Sequence, residues 1–276
     1  MTERPAAPSH TRLAEDGFVR VRGVLGTADL RRTRRLVDEV HREERGGGCE
    51  RANNVLTPLR WNDRLIAHLF AIGSLIEAVR VATRACDLRW ISSYISVRPA
   101  RTGRLPWHQD WWCWDHPVTY RREPVQVATL CYLDDVGPTN AALQIVPGSH
   151  LRSTPLHEGL ADTGCSARPG VTPAELAART LEVRAGDVVV LDYRVLHSTT
   201  CNTTRQSRDC VLLSFTPDWN ELPQDVRAHL ISHSALPRAD EPSAAGVGHA
   251  SLLPAYDGPR IDLELSRRPP AEFAIS

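Results

Sequence analysis

The chain has 276 residues, 42% of them hydrophobic and 24% charged, and its 33 basic residues balance 33 acidic ones. That length and apolar content allow one sizeable buried core, and the zero net charge calls for neither nucleic acid nor an anionic membrane as a partner. Every basic residue is arginine, which excludes Schiff-base and P-loop lysine chemistry.

In chain order, residues 1–12 read as a loose, Pro- and Ala-rich start, and the alternation from Phe18 to Val24 predicts a short strand. Thr27 fits an N-cap, and Leu30, Leu36, Val37 and Val40 follow at helical spacing until Gly46-Gly47-Gly48 breaks the pattern. A second helix is predicted from about Asp63 to Arg84, with Leu65, Ile66, Leu69, Ile72, Ile76 and Val79 on its buried face. From Leu88 the texture turns to short β-rich runs. Trp90–Val97, Val125–Leu133, Leu143–His150, Leu181–Val183, Val188–Leu191 and Val211–Thr216 read as strands, and a turn-rich loop spans Arg98 to Pro106. Residues 151–180 form a long excursion with a short helix expected over 173–179, in the manner of an active-site lid. A helix near 222–231 precedes an irregular tail. Helices first and many short strands after them predict one α+β, mainly β domain over 1–276, a sandwich or jelly roll with the N-terminal helices packed outside and 220–276 as an irregular extension.

The chemistry concentrates in Pro106-Trp107-His108-Gln109-Asp110-Trp111-Trp112. On an extended strand His108 and Asp110 share a face, and an imidazole plus a carboxylate suits Fe(II) among other divalent metals. A third ligand is needed, and His197 is the best candidate, delivered where the apolar run beginning at Val188 gives way to polar residues. The rival reading is a buried His–Asp hydrogen bond with no metal.

Seven cysteines form an odd set without a CxxC pair, no run of about 18 apolar residues is present, and the first residues lack a secretory apolar core. These features lead us to expect a cytoplasmic protein with reduced thiols and no membrane association.

Asp16-Gly17-Phe18, His108-Gln109-Asp110, Asn140 followed by Pro147-Gly148-Ser149-His150, Gly186-Asp187, and His197 with Arg208 eleven residues later occur in that order. This set resembles the phytanoyl-CoA dioxygenase family of Fe(II)/2-oxoglutarate-dependent oxygenases over about residues 13–219. The resemblance implies a double-stranded β-helix with His108, Asp110 and His197 as iron ligands. It also implies 2-oxoglutarate and O2 as co-substrates, Arg208 as the partner of the far carboxylate, and Thr199 as a hydroxyl contact to it. A guanidinium fits that task because its planar fork grips a carboxylate and stays charged when buried. Thr129 and Tyr94 are expected to line the co-substrate pocket from their strands.

Four of the seven tryptophans fall between Trp107 and Trp114. If the His108 strand runs on, Trp112 keeps the parity of the ligands, and with Trp107 and Gln109 it is expected to meet the substrate. Flat indole faces favour a ring system, so the sequence points to oxidation of a small secondary metabolite in a bacterial, antibiotic-type pathway, with no obligate protein partner. Alternatives are an amino acid or a CoA thioester as substrate, a zinc hydrolase with the same ligands, or a non-catalytic metal-binding jelly roll.

Overall fold

The computed structural model describes residues 9–43, 49–51, 53–163, 177–238, 240–241 and 247–276. The chain starts with helix α1 (Ser9–Asp16), strand β1 (Phe18–Val21) and helix α2 (Thr27–Glu43), followed by the strands β2 (Cys49–Arg51) and β3 (Asn54–Leu59). Helices α3 (Arg64–Ala71) and α4 (Gly73–Thr83) come next, then β4 (Arg89–Arg98), β5 (Leu105–His108), β6 (Val127–Tyr132) and β7 (Leu143–Ile145). Helix α5 (Pro155–Thr163), strands β8 (Arg179–Thr180), β9 (Val188–Asp192), β10 (His197–Thr199) and β11 (Arg208–Thr216), and helix α6 (Gln224–Leu230) complete the regular elements.

Every strand pairing is antiparallel, in a seven-stranded sheet ordered β1-β9-β6-β11-β4-β3-β2 and a four-stranded sheet ordered β5-β10-β7-β8. The fold is the expected jelly roll. Side-chain alternation along the large sheet builds two cores at once. On one face Val188, Val190, Val211, Leu213 and Phe215 pack against Leu65, Ile66, Leu69 and Val79 of the helices. On the other, Val189, Leu191, Ala128 and Tyr132 meet Leu143 and Ile145 of the small sheet.

Two family-like motifs prove to be clamps that hold the chain's start. Gly186 has φ +91°, and a Cβ there would lie 2.6 Å from the Leu25 carbonyl oxygen, so the turn admits only glycine. Its neighbour Asp187 accepts from Gly23 N at 2.8 Å, Arg184 N at 2.9 Å and Arg20 Nε at 2.9 Å, which ties β1 to the turn before β9. His150 is buried and sits against Gly17, with its Nε2 donating to the Ala14 carbonyl at 3.2 Å.

Three expectations need correction. The N-terminal segment is helical from Ser9 rather than loose through residue 12. The long helix is two helices bent by 69°. Ile72 takes an extended conformation (φ −81°, ψ 94°), and Ser74 Oγ donates to Val24 O at 2.9 Å, while the buried Ile72 keeps the apolar spacing running through the break. The excursion after His150 carries its helix at Pro155–Thr163, where Leu156 and Leu160 pack on Trp107, and Arg179 is in β8. Residues 173–176 of the expected helix, and Gly46–Gly48, lie outside the described residues. Among the described residues no single helix is long and apolar enough to cross a membrane.

Candidate active site

The apolar run from Val188 is not one strand. It leaves the large sheet at Asp192, turns, and enters the small sheet at His197. A buried ion pair locks the crossing: Arg194 Nη2 lies 2.7 Å from Asp192 Oδ2, with Arg194 Nη1 donating to Thr119 O at 2.7 Å. Burial alone would raise the Asp192 carboxyl, but the Arg194 guanidinium holds it below the usual carboxylate range. The crossing also presents the Tyr193 carbonyl, which accepts from both Asp110 N and Trp111 N at 3.0 Å.

This places the two histidines opposite each other, His197 of β10 pairing with His108 of β5, their ring centroids 4.1 Å apart. Asp110 joins them from the turn beyond β5, because the strand stops at His108. His108 Nδ1 donates to Pro106 O at 2.8 Å and His197 Nδ1 to Val195 O at 3.1 Å, so both Nε2 atoms keep their lone pairs. Those Nε2 atoms face the carboxylate, at 3.9 Å from Asp110 Oδ1 for His108 and 3.6 Å from Oδ2 for His197. Both spacings are too long for a His–Asp hydrogen bond. All three ligand atoms lie within 4.8 Å of one another. Two imidazole nitrogens and one carboxylate, each held by the backbone around it, could hold one divalent ion and leave positions open.

A cavity of about 800 Å³ opens on this group, lined from both sheets. The small sheet contributes Leu143 and Thr199, and the large sheet Leu130, Tyr132, Ser96, Arg98, Arg208, Cys210 and Leu212. Arg208 is buried, donates through Nη2 to Ala141 O at 2.8 Å and lies 5.6 Å from the Tyr132 ring. Its Nε and the Thr199 Oγ1 are buried donors with no partner among the described residues, as an acidic ligand between them would require. Arg205 is exposed and faces a different surface cleft.

Other expected site residues fall elsewhere. Thr129 pairs with Leu213 and Val190, so it lies on the helix-side face of the sheet; its neighbour Leu130 lines the cavity instead. Tyr94 is on the cavity face, opposite Leu212, but its hydroxyl reaches 3.4 Å from His233 Nε2 rather than the co-substrate end. Trp107 is buried under α5. Trp112 is buried too, its Nε1 donating to Gln126 Oε1 at 2.8 Å and its ring 4.6 Å from that of His229. The parity argument fails because the strand ends at His108 and the amides of Asp110 and Trp111 both turn to the Tyr193 carbonyl. Gln109 does line the cavity, with its Nε2 hydrogen-bonded to Arg194 O and 3.2 Å from His157 Nε2. Burial pushes the Cys113 thiol up to about 11, so it packs as a neutral group.

Two charged cavity residues escaped the sequence reading. The sequence reads Arg98 as the start of a loop, yet it closes β4, where Ser92, Ser96 and Arg98 alternate as the signal of a polar inner face. Arg267 reaches the cavity from the C-terminal tail, which is held by Trp114 N donating to Ser266 O at 2.9 Å. Nothing in the local pattern announces that contact.

The sequence profile of the phytanoyl-CoA dioxygenase family matches residues 13–210. The L-proline trans-4-hydroxylase of Streptomyces griseoviridis is 26% identical over 267 residues, spanning 84% of this chain and 95% of the relative. Among solved structures, HygX from Streptomyces hygroscopicus, with nickel and 2-oxoglutarate bound, superposes with a TM-score of 0.59 at 20% identity, over 74% of this chain and 84% of that one. The α-ketoglutarate-dependent carbocyclase SnoK of nogalamycin biosynthesis gives 0.59 at 23% identity, over 75% and 82%.

Proposed function

The chain belongs to the phytanoyl-CoA dioxygenase family, and on that premise we propose that it is an Fe(II)/2-oxoglutarate-dependent oxygenase that oxidises a C–H bond of a small molecule. The observation that carries the proposal is the convergence of His108, Asp110 and His197 on one point in the lining of the cavity that also holds the buried Arg208. The bound metal with 2-oxoglutarate and O2 supplies the oxidation, coupled to conversion of the co-substrate to succinate and CO2.

The chain's own residues do the rest. The Pro106 and Val195 carbonyls fix the tautomers of His108 and His197, and the Tyr193 carbonyl fixes the turn that presents Asp110. Arg208 and Thr199 would hold the far carboxylate of 2-oxoglutarate through their unpartnered donors. Leu130, Leu143 and Leu212 keep that end of the cavity dry. Arg267 is the exposed member of the lining, on the side where a substrate would enter, while Gln109 lines the cavity with its amide turned to Arg194 O.

The tryptophan argument for a ring-system substrate falls with the burial of Trp107 and Trp112. An amino acid is the substrate class favoured by the proline-hydroxylating relative and by a guanidinium, Arg267, at the cavity mouth. An antibiotic-type metabolite is the second reading, favoured by the fold's likeness to SnoK and HygX. The test is aerobic incubation with Fe(II), 2-oxoglutarate and a panel of amino acids and natural-product intermediates. Succinate and an oxidised product in equal amounts support the proposal. Succinate-free incubations across the whole panel, with 2-oxoglutarate left intact, contradict it.

A further inference from the structure

Arg98 and Arg208 are direct cross-strand partners, β4 against β11, and both line the cavity. Arg98 is 1% exposed and Arg208 5%. Like charges set opposite each other on a sheet repel, and a buried guanidinium without an anion is costly. Among the described residues Asp110 is the only acid in the cavity lining, and it belongs to the candidate metal group. The cavity lining around the two arginines therefore offers no carboxylate of its own among the described residues, and Asp134 acts on Arg208 only from the neighbouring cleft. Arg98 Nη2 donates to Gly103 O at 2.6 Å, but its Nε and Nη1, like Arg208 Nε, have no partner there. Burial and, after it, the charge of Arg208 lower Arg98 to about 10, the mark of a cation lacking its counter-ion.

We propose that Arg98 is the second jaw of the co-substrate clamp: with Arg208 it brackets the carboxylate of 2-oxoglutarate that lies away from the metal. The assignment rests on the oxygenase reading above. A carboxylate has two oxygens and about four acceptor positions, enough for donors from both guanidiniums. It would also remove the repulsion between them, so the ligand that the site needs for turnover is the one that relieves it. Arg98 is in this sense a specificity-determining residue, since a 2-oxo acid without a far carboxylate leaves both arginines unpaired.

The test uses anaerobic Fe(II)-loaded protein titrated with 2-oxoglutarate and, separately, with 2-oxobutyrate, which lacks the far carboxylate. Arg98→Gln should weaken 2-oxoglutarate on the order of 30-fold, the scale of losing one arm of a buried charge pair. It should leave the weak binding of 2-oxobutyrate and the affinity for Fe(II) unchanged, and Arg98→Lys should restore part of the loss. Without ligand, Arg98→Gln should melt no lower than wild type, because it removes a repulsion. Unchanged 2-oxoglutarate binding in Arg98→Gln overturns the proposal. So does equal weakening of both 2-oxo acids together with a lower melting temperature, which marks a structural role. Wild-type protein that binds neither 2-oxo acid refutes the oxygenase reading itself, a result distinguishable from either of these.

Discussion

At the scale of single residues, the hydrogen-bond partner of each side chain decides its role more surely than its position in a motif. His108 and His197 face the cavity with the correct nitrogen because each gives its other ring proton to a backbone carbonyl two residues before it. Trp112 shows the converse. Its indole N–H is spent on Gln126, whose own Nε2 donates to Ser214 Oγ at 2.6 Å, so the side chain belongs to the inter-sheet core. Trp112→Phe, which leaves the Gln126 oxygen unpaired, should lower stability by about 1–3 kcal/mol in denaturant unfolding. It should leave the ratio of oxidised product to succinate as in wild type. A ratio well below that of wild type would return Trp112 to the substrate pocket.

Elements differ in how far the sequence reveals them. The buried strands β6, β9 and β11 are legible because strands covered on both faces read as short apolar runs, and His108 and His197 are legible because each stands where such a run meets polar residues, one closing β5 and the other opening β10. The break at Ile72 was hidden, since a buried isoleucine fits the helical spacing on either side of it. Asp110 lies off the strand for a reason the segment itself does not contain: the Tyr193 carbonyl, more than eighty residues on, captures its amide. Helix α5 was missed for its weak apolar pattern, and it is pinned by His157, whose Nδ1 accepts from Thr154 N at 2.8 Å and whose ring meets Phe273 edge-on at 5.0 Å. Burial holds His157 down to about 4 from its ordinary 6.5. Below pH 6.5 the unfolded chain takes up a proton that the folded chain refuses. The stability contributed by neutral His157 is therefore complete above 6.5, falls between 6.5 and about 4, and then levels off. The loss across that window is on the order of 3 kcal/mol. His157→Gln should flatten this acid limb when urea midpoints are compared between pH 7 and pH 4.5, and an unchanged slope would assign the limb to other groups.

Across the whole molecule, the two sheets divide the labour of the cavity. The small sheet and its crossing carry the two histidines and the turn with Asp110, and the large sheet carries the arginine pair, so sheet-on-sheet packing sets the distance between the two groups. The tail adds the exposed Arg267 to the lining next to Ser266, which accepts from Trp114 N, and beyond it Phe273 meets the Trp114 ring at 5.1 Å and a 50° tilt. The proposed function stands on His108, Asp110 and His197 binding iron together and leaving room for 2-oxoglutarate. The most direct measurement is the visible absorption of the protein with Fe(II) and 2-oxoglutarate in the absence of O2. A weak charge-transfer band is expected in the wild-type chain, and it should disappear in His108→Ala, Asp110→Ala and His197→Ala, each still folded by circular dichroism. A wild-type chain with no band, or variants that all retain it, would contradict the claim.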